Sequence, residues 1–443
     1  MKDLTIGHPG RVLVSYTLPL FGSIIFQQLY NIADSFVAGH YIGTNALSAV
    51  SNSYEITLIY IALAFGCNIG ASVITARYFG QKDYRSVRTC ISTSILFSAA
   101  IGMLFTAAGI LLSGTMLSWI NTPQELMRDS QDYLIIYLWG YLFLILYQVS
   151  TGIFSSLGDS RTPFWFLAVS SVTNIFVDIF FVRDLGLGVK GVAYATFICQ
   201  SISGLLALAV LMRRVRSLKT GENCRLFSWQ ILGQILRIAV PSAVQQGCIS
   251  VGNILIQSVI NSMGTAVMGG YGAAVKLNNL CITSLTATGN GISNYTSQNY
   301  GAGKHERIRQ GARYGTMMGV GISVMFAVVF LIFSPQLLGF FITDGNAQAA
   351  DVGVNFLRIV STFYAVIACK LMIDGILRGL GRMNDFMIST MTDLLIRVVL
   401  AFCFAPVWHS TGVWAAWPIG WFIGTGMSFG FYFRWQRRKS SKL

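Results

Sequence analysis

A chain of 443 residues with 54% hydrophobic side chains, 11% charged ones and a mean hydropathy of +0.61 has too little charge to cover a water-facing surface of that size. The composition excludes a soluble globular fold. The net charge of +14 does not point to nucleic acid, because the basic residues gather at the ends of apolar segments, as they do beside a membrane.

Taken in order, apolar stretches of the ~20 residues needed to cross a ~30 Å hydrocarbon layer fall near 12–38, 46–76, 89–118, 131–157, 162–184, 187–212, 230–261, 268–298, 310–338, 350–378, 385–407 and 411–434. They predict an all-α polytopic membrane protein with twelve transmembrane helices. Several exceed the minimum length, as tilted or bent helices do. The first apolar run outlasts a secretory h-region and shows no small-residue cleavage site, so no signal peptide is expected.

The second half repeats the first in the same direction, as a unit of roughly 220 residues. Pro19 pairs with Pro241, Gly43-Thr44 with Gly264-Thr265, Tyr78-Phe79-Gly80 with Asn299-Tyr300-Gly301, and the stretch Gly152–Gly158 with Gly375–Gly381. Six spans per copy place both copies' starts on one side of the membrane. The copies are then two six-helix lobes related by a pseudo-two-fold axis along the membrane normal, the layout of a transporter with its substrate site between lobes. The expected division is an N-lobe at 1–212 with the cation site, a linker at 213–229 and a C-lobe at 230–443. Arg77, Lys82, Arg85, Arg88, Arg213, Arg214, Arg216, Lys304, Arg307, Arg309, Arg437 and Arg438 fall at one set of ends, and Arg128, Arg183 and Lys190 at the other. By the positive-inside rule both termini and the linker are expected in the cytoplasm, with the chain in the plasma membrane of a prokaryote.

The eight cysteines are scattered without a Cys-x-x-Cys pair and read as apolar packing residues. Gly66/Gly70, Gly311/Gly315 and Gly420/Gly424 have the spacing of close helix packing. Gly186–Gly191 satisfies G-x-G-x-x-G, but in a turn between spans, without the strand and downstream acid of a dinucleotide fold. His305-Glu306 lacks the second histidine of a zinc-binding H-E-x-x-H. With no P-loop and no G-x-S-x-G, the chain is not expected to be an enzyme or to hold a cofactor. Its energy is expected from an ion gradient.

Charges inside spans are costly and few. Asp34 lies in the first span with no basic neighbour on its helix. Asp178 lies in the fifth, four residues after Asn174 and on the same face. Low-dielectric surroundings disfavour a bare carboxylate, so such a group exchanges a proton or a cation as its surroundings change. Two carboxyls with an amide and a hydroxyl suit a proton relay or a small hard cation such as Na⁺. The competing reading is a hydrogen-bonded fastening between helices.

The run Pro19, Gln27, Asn31, Asp34, Gly39 and Gly43, the endings Tyr78-Phe79-Gly80 and Asn299-Tyr300-Gly301, the stretch Leu157–Pro163 and the stretch Leu377–Gly381 resemble the multidrug and toxic compound extrusion (MATE) family, over essentially the whole chain. The resemblance implies a twelve-helix, cation-coupled antiporter exporting mostly cationic, amphipathic drugs or metabolites. In the prokaryotic branch that includes DNA-damage-inducible protein F, it further implies a cation site at Asp34, Asn174, Asp178 and Thr196, with H⁺ or Na⁺ as coupling ion. The other prokaryotic branch places acids on the seventh and tenth helices. Gln245, Gln246 and Ser250, then Phe363 and Ile367, stand around those places here, which implies no C-lobe cation site. Lys370/Asp374 and Asp393/Arg397 are expected as helical ion pairs.

Glu55 and Lys276 occupy equivalent places in the two copies and carry opposite charges, as a gate would; separate partners are the plainer alternative. Gln27, Tyr30, Tyr137, Tyr141, Gln246 and Tyr271 are the candidate substrate-cavity residues, the aromatic ones suited to stacking on a cation. Expected partners are a small-molecule substrate and membrane lipid, without nucleic acid, for a monomeric chain. The alternative function is a flippase for lipids or lipid-linked saccharides, disfavoured by twelve spans and an acidic N-lobe.

Overall fold

The computed structural model describes residues 2–37, 44–120, 122–217, 224–342 and 347–440, with the backbone alone for 29–37, 44–52, 55, 439 and 440. Among the described residues the fold is all helix. The helices are α1 (Pro9–Val37), α2 (Thr44–Gly80), α3 (Tyr84–Trp119), α4 (Gln124–Trp139), α5 (Tyr141–Ser156), α6 (Arg161–Ile179), α7 (Val189–Arg216), α8 (Trp229–Asn261), α9 (Thr265–Gly301), α10 (His305–Gly339), α11 (Ala347–Ser361), α12 (Tyr364–Gly379) and α13 (Met383–Ser440).

These thirteen helices resolve into the twelve expected spans. Eight are long and apolar enough to cross a membrane singly, and α4 with α5 and α11 with α12 add two spans bent by 47° and 55°. The 58-residue α13 is two spans joined at a non-helical break, Trp408 and His409. The twelfth is α9, more polar than the rest because it is an interior helix: Asn278, Ser284, Thr288, Ser293, Asn294, Gln298 and Asn299 are all buried.

Packing divides the chain into two units. One comprises residues 1–5, 18–247 and 301–303, the other 6–17, 248–300 and 304–443. The first part of α8 thus belongs with the first unit. Gly66 and Gly70 on α2 make this close approach available, since a Cβ on Gly66 would stand 2.5 Å from the Ala239 carbonyl oxygen and one on Gly70 2.8 Å from that of Ile235. Within the second unit, Tyr16 of α1 accepts a hydrogen bond from Asn294 Nδ2 at 3.2 Å and Arg307 Nη1 donates to the Gly7 carbonyl at 2.7 Å. All eight cysteines are free thiols.

The sequence repeat is also a repeat of local geometry. Each unit's bent span restarts at a fully buried tyrosine, Tyr141 in α5 and Tyr364 in α12. Gly158 and Gly381 end those spans with the same backbone angle, φ +76°. Gly191 and Gly412 open the sixth span of each copy against the backbone of equivalent residues, Phe181 and Phe404. Further along, Gly204 lies against the Phe143 carbonyl, and at the matching place Thr425 Oγ1 donates to the Val366 carbonyl. The turn between fifth and sixth spans is longer in the first copy, yet both end alike: Gly188 has φ 58°, ψ −139°, and His409 has φ 48°, ψ −138°.

Candidate functional site

The fifth span of the first unit starts from a fixed cap. Asp159 accepts from Arg161 N at 3.2 Å, Thr162 N at 3.1 Å and Thr162 Oγ1 at 2.7 Å, and pairs with Arg214 of α7. This ties the first turn of α6 to the last turn of α7, while the Phe181–Gly191 approach closes the other end. Between these two ends α6 carries Asn174 and Asp178, both buried, at 1% and 0% exposure; Thr196 on α7 is buried at 2%. Directly after Asp178 the helix widens into a π-helical turn, Phe180–Asp184. Such turns break the regular ladder and recur at functional positions.

The neighbours of these residues pack together. Ile179 and Val182 beside Asp178, and Val192, Ala193 and Phe197 beside Thr196, form one apolar cluster with Tyr133 and Tyr137 of α4. The Tyr137 phenol reaches the side chains of Thr57 and of Gln200, one helical turn after Thr196. An amide, a carboxyl and a hydroxyl are therefore buried on α6 and α7, flanked by an apolar cluster that these helices share with α4. This all-oxygen set fits a proton or a small hard cation and offers no soft ligand. Asp34, the fourth expected member, lies on α1, with its side chain outside the described residues.

The expected cavity residues separate into different settings. Tyr137 stacks on Tyr133 at 6.4 Å beside the Asn174/Asp178/Thr196 group. Tyr141 is fully buried, edge-on to Tyr60 at 5.0 Å, in the core shared by α2, α3 and α5. Tyr271 is likewise interior, stacked on Trp414 at 5.2 Å and edge-on to Phe356 at 5.3 Å. Gln27 is exposed and Gln246 half-buried; the Tyr30 side chain is outside the described residues. Lys276 is exposed, with its ammonium 5.8 Å from the Phe341 ring; the Glu55 side chain, its expected gate partner, is also outside the described residues.

The second unit holds a buried charge cluster that sequence spacing gave only in part. Lys370 Nζ bonds Asp374 Oδ2 at 2.7 Å, as the four-residue spacing implies, and also faces Asp393 Oδ2 at 3.7 Å. Asp393 and Arg397 do not form the expected helical ion pair. Asp393 turns to Lys370, and Arg397 lies over the Trp417 ring at 4.7 Å. The tertiary partners win because Gly420 and Gly424 open the facing helix: a Cβ on Gly420 would meet Asp393 Oδ1 at 2.7 Å, and one on Gly424 the Lys370 Cε at 2.7 Å. Ser428 Oγ donates to Asp374 Oδ1 at 2.5 Å, and Ser389 bonds Ser428 at 2.6 Å. The missed signal is a three-helix register: residues 370, 374 and 378; 389, 393 and 397; and 420, 424 and 428 each recur every four positions.

Comparison with known proteins places this geometry in context. The MatE family profile matches residues 19–180 and 241–403, one stretch in each copy of the repeat. The chain is 28% identical to a "Probable multidrug resistance protein YpnP" of Bacillus subtilis over 100% of its own length and 98% of that protein. It is 23% identical to a "Probable multidrug resistance protein NorM" of Thermotoga maritima, covering 92% and 88%. A solved outward-facing multidrug resistance MATE family transporter of the MOP superfamily shares its fold with TM-score 0.93 at 23% identity, over 100% of this chain and 99% of that one.

Proposed function

The chain belongs to the MatE family, and from that premise we propose that it is an ion-coupled exporter of amphipathic, mostly cationic drugs or metabolites. The family consists of membrane transport proteins, not enzymes. The observation that carries the coupling is the burial of Asn174, Asp178 and Thr196 on two facing helices of one unit. A carboxyl in such a place is costly to maintain, and an ion exchanged there changes its charge and its hydrogen bonding.

The proposed cycle is alternating access. Substrate enters from the cytoplasm while Asp34 and Asp178 are free of the coupling ion. H⁺ or Na⁺ arriving from outside then repacks the first span and expels substrate. The ion shifts the two states only by its difference in affinity between them, so its binding must differ between inward- and outward-open forms. Gln27, Tyr30, Tyr137 and Gln246 are the proposed substrate contacts. Tyr141 and Tyr271 contribute as packed aromatic walls. The chain acts as a monomer in the plasma membrane with both termini cytoplasmic, an orientation supported by the placement of its basic residues.

Ethidium accumulation in a pump-deficient host tests this reading. Expression should lower retained dye, and Asp34→Asn or Asp178→Asn should return it to the level of the empty host at equal membrane expression. Parental resistance in both variants would remove the proposed site. Unchanged retention with the parental protein would favour lipid flipping instead.

A further inference from the structure

The repeat makes it possible to ask what stands in the second unit where the first holds its ion-exchange group. From Gly152/Gly375 through Gly158/Gly381 to Phe181/Phe404 the copies run without insertion, and the structural anchors agree at both ends. Asn174 therefore corresponds to Arg397 and Asp178 to Ala401. After the shorter turn, Gly188/His409, Gly191/Gly412 and Gly204/Thr425 bracket the sixth span. Thr196 corresponds to Trp417.

Amide, carboxyl and hydroxyl in one copy are thus guanidinium, methyl and indole in the other. The exchanged residues touch: Arg397 Cζ stands 4.7 Å from the centre of the Trp417 ring. Trp417 is held in turn by Phe356 at 5.7 Å and Trp421 at 6.0 Å, all in the interior. The Arg397 Nε is buried with no hydrogen-bond acceptor, so the aromatic face is its main partner there. Ala401 is fully buried and supplies no carboxylate at the place that Asp178 holds in the first copy. An oxygen-lined place for a mobile cation has become an aromatic-lined place for a tethered one.

We propose that Arg397 is a built-in cation occupying the C-lobe counterpart of the ion site, held on Trp417 so that this lobe is permanently in the loaded arrangement. The proposal rests on reading Asn174, Asp178 and Thr196 as the ion site of the other lobe. It gives a physical reason for coupling through one lobe: a site filled by a covalently attached guanidinium cannot release its cation and take up another.

The test removes the tether and asks whether a free cation takes its place. Full-length Arg397→Ala, the parent and Asp178→Asn are purified in detergent, and thermal unfolding is followed against millimolar methylguanidinium, with sodium chloride at equal ionic strength as control. Arg397→Ala is expected to unfold at lower temperature and to regain most of the loss saturably with methylguanidinium, while parent and Asp178→Asn do not respond. No recovery, or equal recovery with sodium chloride, overturns the proposal. Should Arg397→Ala not be isolable, Arg397→Lys and Arg397→Met decide: the lysine variant is expected to keep folded yield and efflux and the methionine variant to lose both, and equal behaviour overturns the tethered-cation role. Failure of the N-lobe reading would show separately, as ion-driven efflux surviving in Asp178→Asn.

Discussion

The interiors of the two units share a backbone and differ in charge. Around α6 and α7 the buried polar set is Ser171, Asn174, Asp178 and Thr196, with one carboxyl and no basic side chain among them. Around α12 and α13 the buried set contains Lys370, Asp374, Arg378, Asp393 and Arg397. The second arrangement ties its charges into close pairs and an aromatic stack. Duplication preserves where side chains project. Under the proposed function, whether that place exchanges an ion or closes on itself depends on which charges the copy carries.

The comparison breaks most severely at the carboxyls. Asp34→Asn and Asp178→Asn keep shape and hydrogen bonding but cannot exchange charge, so ion-driven efflux should fall to the background of empty vesicles with folded yield unchanged. Fluorescence-detected size exclusion alongside vesicle efflux checks both. Survival of efflux would mean that the unit holding Asn174, Asp178 and Thr196 is not the exchanging one.

Lys370→Met tests the opposite interior. It leaves Asp374 and Asp393 buried without their shared ammonium, which should cost about 3–5 kcal/mol, read as a large fall in thermal stability or yield. An unchanged melting temperature would show that these charges are not mutually dependent. Gly420→Ala is the milder version. Its Cβ would press on Asp393 Oδ1 at 2.7 Å, and a cost of about 1–3 kcal/mol is expected for such overpacking. A neutral result would mean that the cluster has room to shift.

The smallest effect sharpens the structural equivalence itself. His409 adopts the left-handed backbone that Gly188 adopts in the other copy, a strained conformation for a residue with a Cβ. His409→Gly should stabilise the protein by about 1 kcal/mol, measurable as a small rise in melting temperature. A fall would show that the imidazole makes a compensating contact.

Much of this was legible in the chain. Hydropathy located all twelve spans, including α9, whose buried asparagines make it the most polar of them, and the four-residue spacing gave the Lys370/Asp374 bond. The bends were less legible. Neither restart follows a proline; Gly140 marks the first break, but the Thr362-Phe363 step before Tyr364 carries no such signal. The Asp393/Arg397 pairing failed for a related reason. Spacing names the neighbours a side chain has on its own helix, but not whether Lys370 or Trp417 from another helix is the better partner. Asn174 and Asp178 were singled out because an intramembrane acid has few explanations; that Arg397 stands at the corresponding place needed the tertiary register before it could be recognised.

The central claim, that the coupling ion is bound in the N-terminal copy alone, is tested most directly in proteoliposomes under separately imposed pH and Na⁺ gradients, comparing parent, Asp178→Asn and Asp393→Asn for gradient-driven dye flux. Flux should vanish in Asp178→Asn and persist, with the same ion preference, in correctly folded Asp393→Asn. Persistence in Asp178→Asn with loss or altered ion preference in Asp393→Asn would contradict it.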